Sequence, residues 1–119
     1  MNVPLENKTN NLYNLDELRT SAAGDVAFVA EMVKLFISQN ESALPEIRTS
    51  LACRDYAKIK SILHKMKPSV MVMGVHTASE IIHKIERLDM PAPDEQVFAD
   101  LCLKIEMILL EVNDQLRSF

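Results

Sequence analysis

KSILHKMKPSVMVMG, residues 60–74, carries two patterns at once. The first is a helix. With Tyr56 and Ile59 just upstream, Leu63, Met66, Val70 and Met73 recur at steps of three and four, which at 3.6 residues per turn makes one buried stripe. The second is a chemistry. His64 falls to the side of that stripe, on a face shared with Ala57, Lys60, Ser61, Lys67, Pro68 and Met71. Most of these are small or cationic, so the imidazole is reachable and lies among positive charges, with Lys60 one turn before it and Lys67 one turn after. A histidine so placed suits the handling of phosphate.

The helical period continues in both directions from this stretch. Asp55 is a good N-cap for the histidine helix, and Gly74 a natural left-handed C-cap. Upstream, residues 51–54 read as a turn. Before it, a long helix should begin after Gly24 with Asp25 at its N-cap, bury Val26, Val29, Met32 or Val33, Phe36 and Ile37, and run toward Leu51. Pro45 removes one of its backbone hydrogen bonds, which predicts a kink or brief break near residues 42–44. A short helix from Leu15 to about Thr20, with Asn14 as N-cap and Glu17 as its capping-box partner, would close one end of a bundle. Downstream, His76 or Thr77 opens a third long helix that buries Ala78, Ile81, Ile82, Ile85 and Leu88 and ends before Pro91. PAPDE, residues 91–95, is a loop. Asp94 then caps a fourth helix burying Val97, Leu101, Ile105, Ile108 or Leu109, and Val112, to about Leu116. Only two glycines occur in 119 residues, and the alternation expected of strands is scarce. Short connections make consecutive helices antiparallel. The expectation is an all-α, antiparallel up-and-down four-helix bundle with a short extra N-terminal helix, over residues 12–119 behind a flexible leader at 1–11.

Composition excludes several functions. No apolar run approaches the roughly 20 residues of a membrane span, and the N-terminus has no charged-then-apolar export pattern, so a cytoplasmic setting without membrane insertion is expected. Cys53 and Cys102 lack CxxC spacing and read as two unpaired thiols. A net charge of −4 is the wrong sign for a nucleic-acid binder. Yet between Cys53 and Lys67, Arg54, Lys58, Lys60, Lys65 and Lys67 oppose only Asp55, a local balance of +4. Neither glycine lies in a GxGxxG or GxxxxGK setting, so the chain has no visible means of binding ATP for itself. His76 and His83 stand seven residues apart, about 10.5 Å along a helix, too far to share one metal directly. Neither HExxH nor HxxxH occurs, so no metal site is expected. The two histidines read as surface or half-buried structural residues, His83 the more exposed. Neither the carboxylate partner nor the nucleophile elbow of a serine triad is legible.

His64 remains. A neutral imidazole is a good nucleophile toward an activated phosphoryl group, and nearby ammonium groups favour its neutral form while stabilising a dianionic product. The stretch His64-Lys65-Met66-Lys67-Pro68-Ser69, with Gly74 ending the helix, resembles the signature H-x-L-K-G-[ST] of histidine-containing phosphotransfer (HPt) domains. GDVAFVAEMVKLF, RDYAKIKSILH and SEIIHKIERL are similar to the family's pattern as well, so the resemblance spans about residues 12–116.

The resemblance implies a four-helix bundle exposing His64 as phosphoacceptor, with Lys67 stabilising the phosphate; Lys60 could assist from the other side. Ser61, Lys65, Pro68 and Met71 would form the docking surface for response-regulator receiver domains. The implied partners are such receivers and a hybrid histidine kinase, and the phosphoryl group would pass between receiver aspartates through a phosphohistidine. The chain itself needs no cofactor on this reading, Mg²⁺ being supplied by the receiver. The family reading predicts a monomer. Two residues depart from the pattern. Met66 for leucine conserves volume on the buried stripe. Pro68 stands where glycine is usual, leaves the His64 carbonyl without its helical donor, and predicts a local bend just past the histidine with altered docking geometry. The competing reading is a helical interaction module that docks a receiver or kinase and is not itself phosphorylated.

Overall fold

The computed structural model describes residues 11–89 and 94–118. Five helices hold most of them: α1 (Asp16–Ser21), α2 (Val26–Ala52), α3 (Tyr56–Val72), α4 (His76–Arg87) and α5 (Glu95–Arg117), with no strand among the described residues. Each long helix packs on the next, α5 closes back onto α2, and α1 rests on α2. Direction follows from the pairs that cross between helices. Asn40 meets Asn113 and Arg48 meets Glu106 between α2 and α5; His64 meets Glu86 and Lys67 meets His83 between α3 and α4. In both sets one number rises as the other falls, so these neighbours are antiparallel. The all-α expectation stands. The expected leader lies outside the described residues apart from Asn11, and PAPDE apart from Asp94 and Glu95.

Two helix starts follow the capping chemistry. The Asp25 carboxylate accepts from the Phe28 N–H at 3.0 Å, and that of Asp55 from the Lys58 N–H at 3.2 Å. Asp94 occupies the N-cap of α5, but its side chain caps nothing. At α1 the N-cap is Leu15, one residue later than expected, and the capping box with Glu17 does not form. Asn14 is engaged elsewhere: its Oδ1 accepts from the Asp16 N–H at 2.9 Å, and its own N–H donates to the Met73 carbonyl at 3.0 Å. This second bond ties the chain before α1 to the α3–α4 turn.

That turn is a Schellman motif. The Val75 N–H donates to the Val70 carbonyl at 3.1 Å while Gly74 takes φ +66°. A Cβ on Gly74 would also run into the Asn14 backbone, so the position is closed to side chains for two reasons. At the end of α2 the same device uses Arg54, at φ +59°, with the Asp55 N–H donating to the Ser50 carbonyl at 2.8 Å.

Neither proline breaks its helix. Both α2 and α3 continue past Pro45 and Pro68. Each proline is exposed, and so are Glu41 and His64, whose carbonyls lose their donors, so water can satisfy those carbonyls at low cost. Buried Ala43, Leu44 and Ile47 in α2, and Met66 and Val70 in α3, anchor the helices on both sides.

The core repeats at threes and fours on every long helix: Val29, Val33 and Phe36 in α2, Ile59, Leu63 and Val70 in α3, Ile82 and Ile85 in α4, and Phe98, Ile105, Leu109 and Val112 in α5. Phe98 sets its ring edge-on to Tyr56, centroids 5.0 Å apart, joining α5 to α3 across the bundle. Two expected core residues are outside it. Val26 is 79% exposed in the first turn of α2, and Val97 is 50% exposed because the inward position is its neighbour Phe98. Inside the core, Asn40 Nδ2 donates to Asn113 Oδ1 at 2.9 Å, and Asn113 Nδ2 to the Ile37 carbonyl at 3.4 Å, which pairs α2 with α5 at one register.

Candidate functional site

Leu63 and Met66 point into the core from the middle of α3, and this rotation of the helix turns His64 outward. Its side chain is 75% exposed. Along the same outer surface Ser61, Lys65, Pro68 and Met71 are all exposed.

The antiparallel packing of α4 brings a residue that the sequence reading did not single out. Glu86 lies 22 positions from His64 in the chain, and its Oε2 is 3.2 Å from the imidazole Nδ1. Its other oxygen accepts from the Lys67 ammonium at 2.8 Å. One carboxylate therefore bridges the histidine and the lysine. The Glu86 carboxyl is held below its ordinary value, chiefly by the hydrogen bond from Lys67; burial opposes this, and the hydrogen bond of His64 and the charges of both partners add smaller lowering effects. His83, one turn before Glu86, places its Nδ1 3.5 Å from the Lys67 ammonium. His83 is thus a neighbour of the site, 54% exposed, where the sequence suggested a surface or half-buried structural residue. Its seven-residue offset from His76 excluded a shared metal but carried no information about a partner on α3. The carboxylate also corrects the expectation of an imidazole among ammonium groups alone, since a negative charge meets Nδ1.

This geometry distinguishes the two ring nitrogens. With Nδ1 engaged as a donor to Glu86, Nε2 carries the free lone pair and has no partner among the described residues. Lys60 sits differently from Lys67. Half-buried, it sends its ammonium to the Leu88 carbonyl at 2.6 Å, satisfying the C-terminal end of α4.

Two grooves flank α3. Between α2 and α3 an apolar one of about 390 Å³ is lined by Met32, Leu35, Gln39, Pro68 and Val72, among others. Between α3 and α4 a wider one of about 900 Å³ carries Lys67, His83, Lys84 and Arg87. No three His, Cys, Asp or Glu side chains are grouped to hold a metal ion among the described residues, and no helix among them is long and apolar enough to cross a membrane. Both cysteines are free; Cys53 is exposed, and burial pushes the Cys102 thiol up to about 11.

No curated protein and no solved structure matches the chain. The family model of the Hpt domain matches residues 31–118, from the second turn of α2 to just past the end of α5, a span containing His64, Lys67, His83 and Glu86. A bundle of antiparallel helices with His64 exposed, matched to that family over most of its length, makes the chain a member of the Hpt domain family.

Proposed function

We propose that His64 is the phosphoacceptor through which this Hpt domain performs histidine phosphotransfer in two-component signalling. The observation that carries the reading is an exposed imidazole whose Nδ1 is committed to Glu86 while Nε2 stays free. The Nε2 lone pair attacks the phosphorus of a receiver's aspartyl phosphate, the P–N bond forms, the acyl P–O bond breaks, and the aspartate leaves as a carboxylate. Nδ1 keeps its proton throughout. Attack leaves positive charge on the ring, and Glu86 stabilises that charge at 3.2 Å. Lys67 turns from Glu86 toward the phosphoryl oxygens, a short movement for an ammonium on a flexible stem. Lys60 has the lesser share, because its ammonium must first leave the Leu88 carbonyl.

The receiver, part of a hybrid histidine kinase or a separate response regulator, supplies Mg²⁺ and an acidic pocket. Ser61, Lys65, Pro68 and Met71 form the rim it meets. The apolar groove lined by Leu35, Pro68 and Val72 gives the contact a dry centre, and the basic groove along α4 favours an acidic partner. Because α3 runs unbroken through Pro68, the proline changes the surface beside His64 without displacing the histidine. Mixing the chain with a phosphorylated receiver and following label transfer tests the reading. His64→Gln should accept no label, and acceptance equal to the parent's would refute it.

A further inference from the structure

The outer face of α5 carries an apolar stripe that the bundle does not use. Leu103, Met107 and Leu110 are 53%, 70% and 50% exposed, and their spacing of four and three places them on one line along the helix. α5 packs on α4 and α2, diagonally across from α3, so the stripe faces away from His64. The charges beside it are distributed unevenly. On one flank Glu106 and Arg117 are taken up by Arg48 and Glu41 of α2. On the other, Lys104 and Glu111 have no partner among the described residues. They are opposite in sign and two helical turns apart, about 10.5 Å, too far to pair with each other on one helix.

We infer that α5 is a homodimer surface on which a second copy of this chain packs antiparallel about a two-fold axis at Met107. In that arrangement Leu103 meets the other copy's Leu110, Met107 meets Met107, and Lys104 of each copy meets Glu111 of the other. The two-fold thus satisfies both unpaired charges twice. Asp100 and Asp114 end the stripe and face each other across the axis, which confines the contact to its centre. Three apolar side chains per copy fall well short of the roughly 800 Å² per partner of a stable complex. The dimer is therefore weak, in rapid exchange with the monomer expected from the sequence, and leaves both His64 side chains free on its outer surfaces.

Sedimentation velocity on the full chain, from about 10 µM to about 1 mM, is the test, since a weak dimer has its midpoint in that range. A concentration-dependent shift from monomer to dimer is expected. Met107→Glu should weaken it at least about tenfold and Lys104→Glu about three- to tenfold, while Lys104→Glu/Glu111→Lys should return to within about twofold of the parent. All these side chains are exposed, and unchanged helical circular dichroism establishes that the variants are folded. A chain that stays monomeric throughout, as it would were the stripe covered by another protein or by its own N-terminal residues, overturns the proposal. So does a double variant no better than Lys104→Glu, because rescue requires Lys104 and Glu111 to meet between copies.

Discussion

Replacing Glu86 by glutamine keeps the shape of the side chain and removes its charge. In the parent, one carboxylate receives the His64 imidazole at 3.2 Å and the Lys67 ammonium at 2.8 Å. Both contacts are open to solvent on one side, so each contributes on the order of 0.5–1 kcal/mol. A neutral amide oxygen can accept from one of them, and more weakly. The loss in orienting the ring and stabilising its charge is therefore about 1 kcal/mol, or roughly a fivefold slower phosphotransfer. Stability at neutral pH should fall by less than about 1 kcal/mol, since no core contact is touched. The sign of the pH dependence is fixed by the lowered Glu86 carboxyl. Its contribution is complete above the ordinary carboxylate range and is lost as pH falls through the folded value, and Glu86→Gln removes that acid limb. Nitrogen NMR of the imidazole checks the cause directly: the parent should hold its proton on Nδ1, and the variant should populate both tautomers. An unchanged tautomer and an unchanged transfer rate in Glu86→Gln would refute the role given to this carboxylate.

Lys67→Ala should retain the fold but shorten the lifetime of phosphohistidine and slow its formation about tenfold, read from label transfer and decay; unchanged kinetics would remove Lys67 from the mechanism. Gly74→Ala should destabilise by about 2–3 kcal/mol in denaturant titration, because the residue must take φ +66° and its Cβ meets the Asn14 backbone. A change under about 0.5 kcal/mol would mean that the Asn14 contact yields freely. Asn113→Leu strands the buried Asn40 amide and should cost about 1–3 kcal/mol, whereas Asn40→Leu/Asn113→Leu should recover most of it. A double variant as unstable as the single one would show that the amide pair does more than satisfy itself.

Several features were legible from local chemistry. Asp25 and Asp55 announce helix starts because a carboxylate at an N-cap needs only the backbone three residues on, and Gly74 announces an end because its φ is a property of the turn. His64 could be placed outside the core because Leu63 and Met66 leave it no inward position. The errors arose where two faces of one helix competed. α5 offers Val97 and Phe98 as adjacent candidates for the core and carries Leu103, Met107 and Leu110 on its far side, so its hydrophobicity alone does not choose the inner face. The brief break that Pro45 allows was a local argument that the buried residues on either side override.

By itself, then, the sequence determined what depends on neighbours within about one turn: the helices, most of their caps, the exposed histidine and the lysine one turn beyond it. Only the tertiary structure decided which charges meet. Glu86 reaches His64 and Lys67 because α4 runs antiparallel to α3 at one register, and Lys60 turns to Leu88 for the same reason. Those contacts join residues 19–28 positions apart, and no helical period encodes them. They follow from burying Ile82 and Ile85 of α4 in one core with Ile59 and Leu63 of α3, so the packing of the core sets the chemistry of the surface above it.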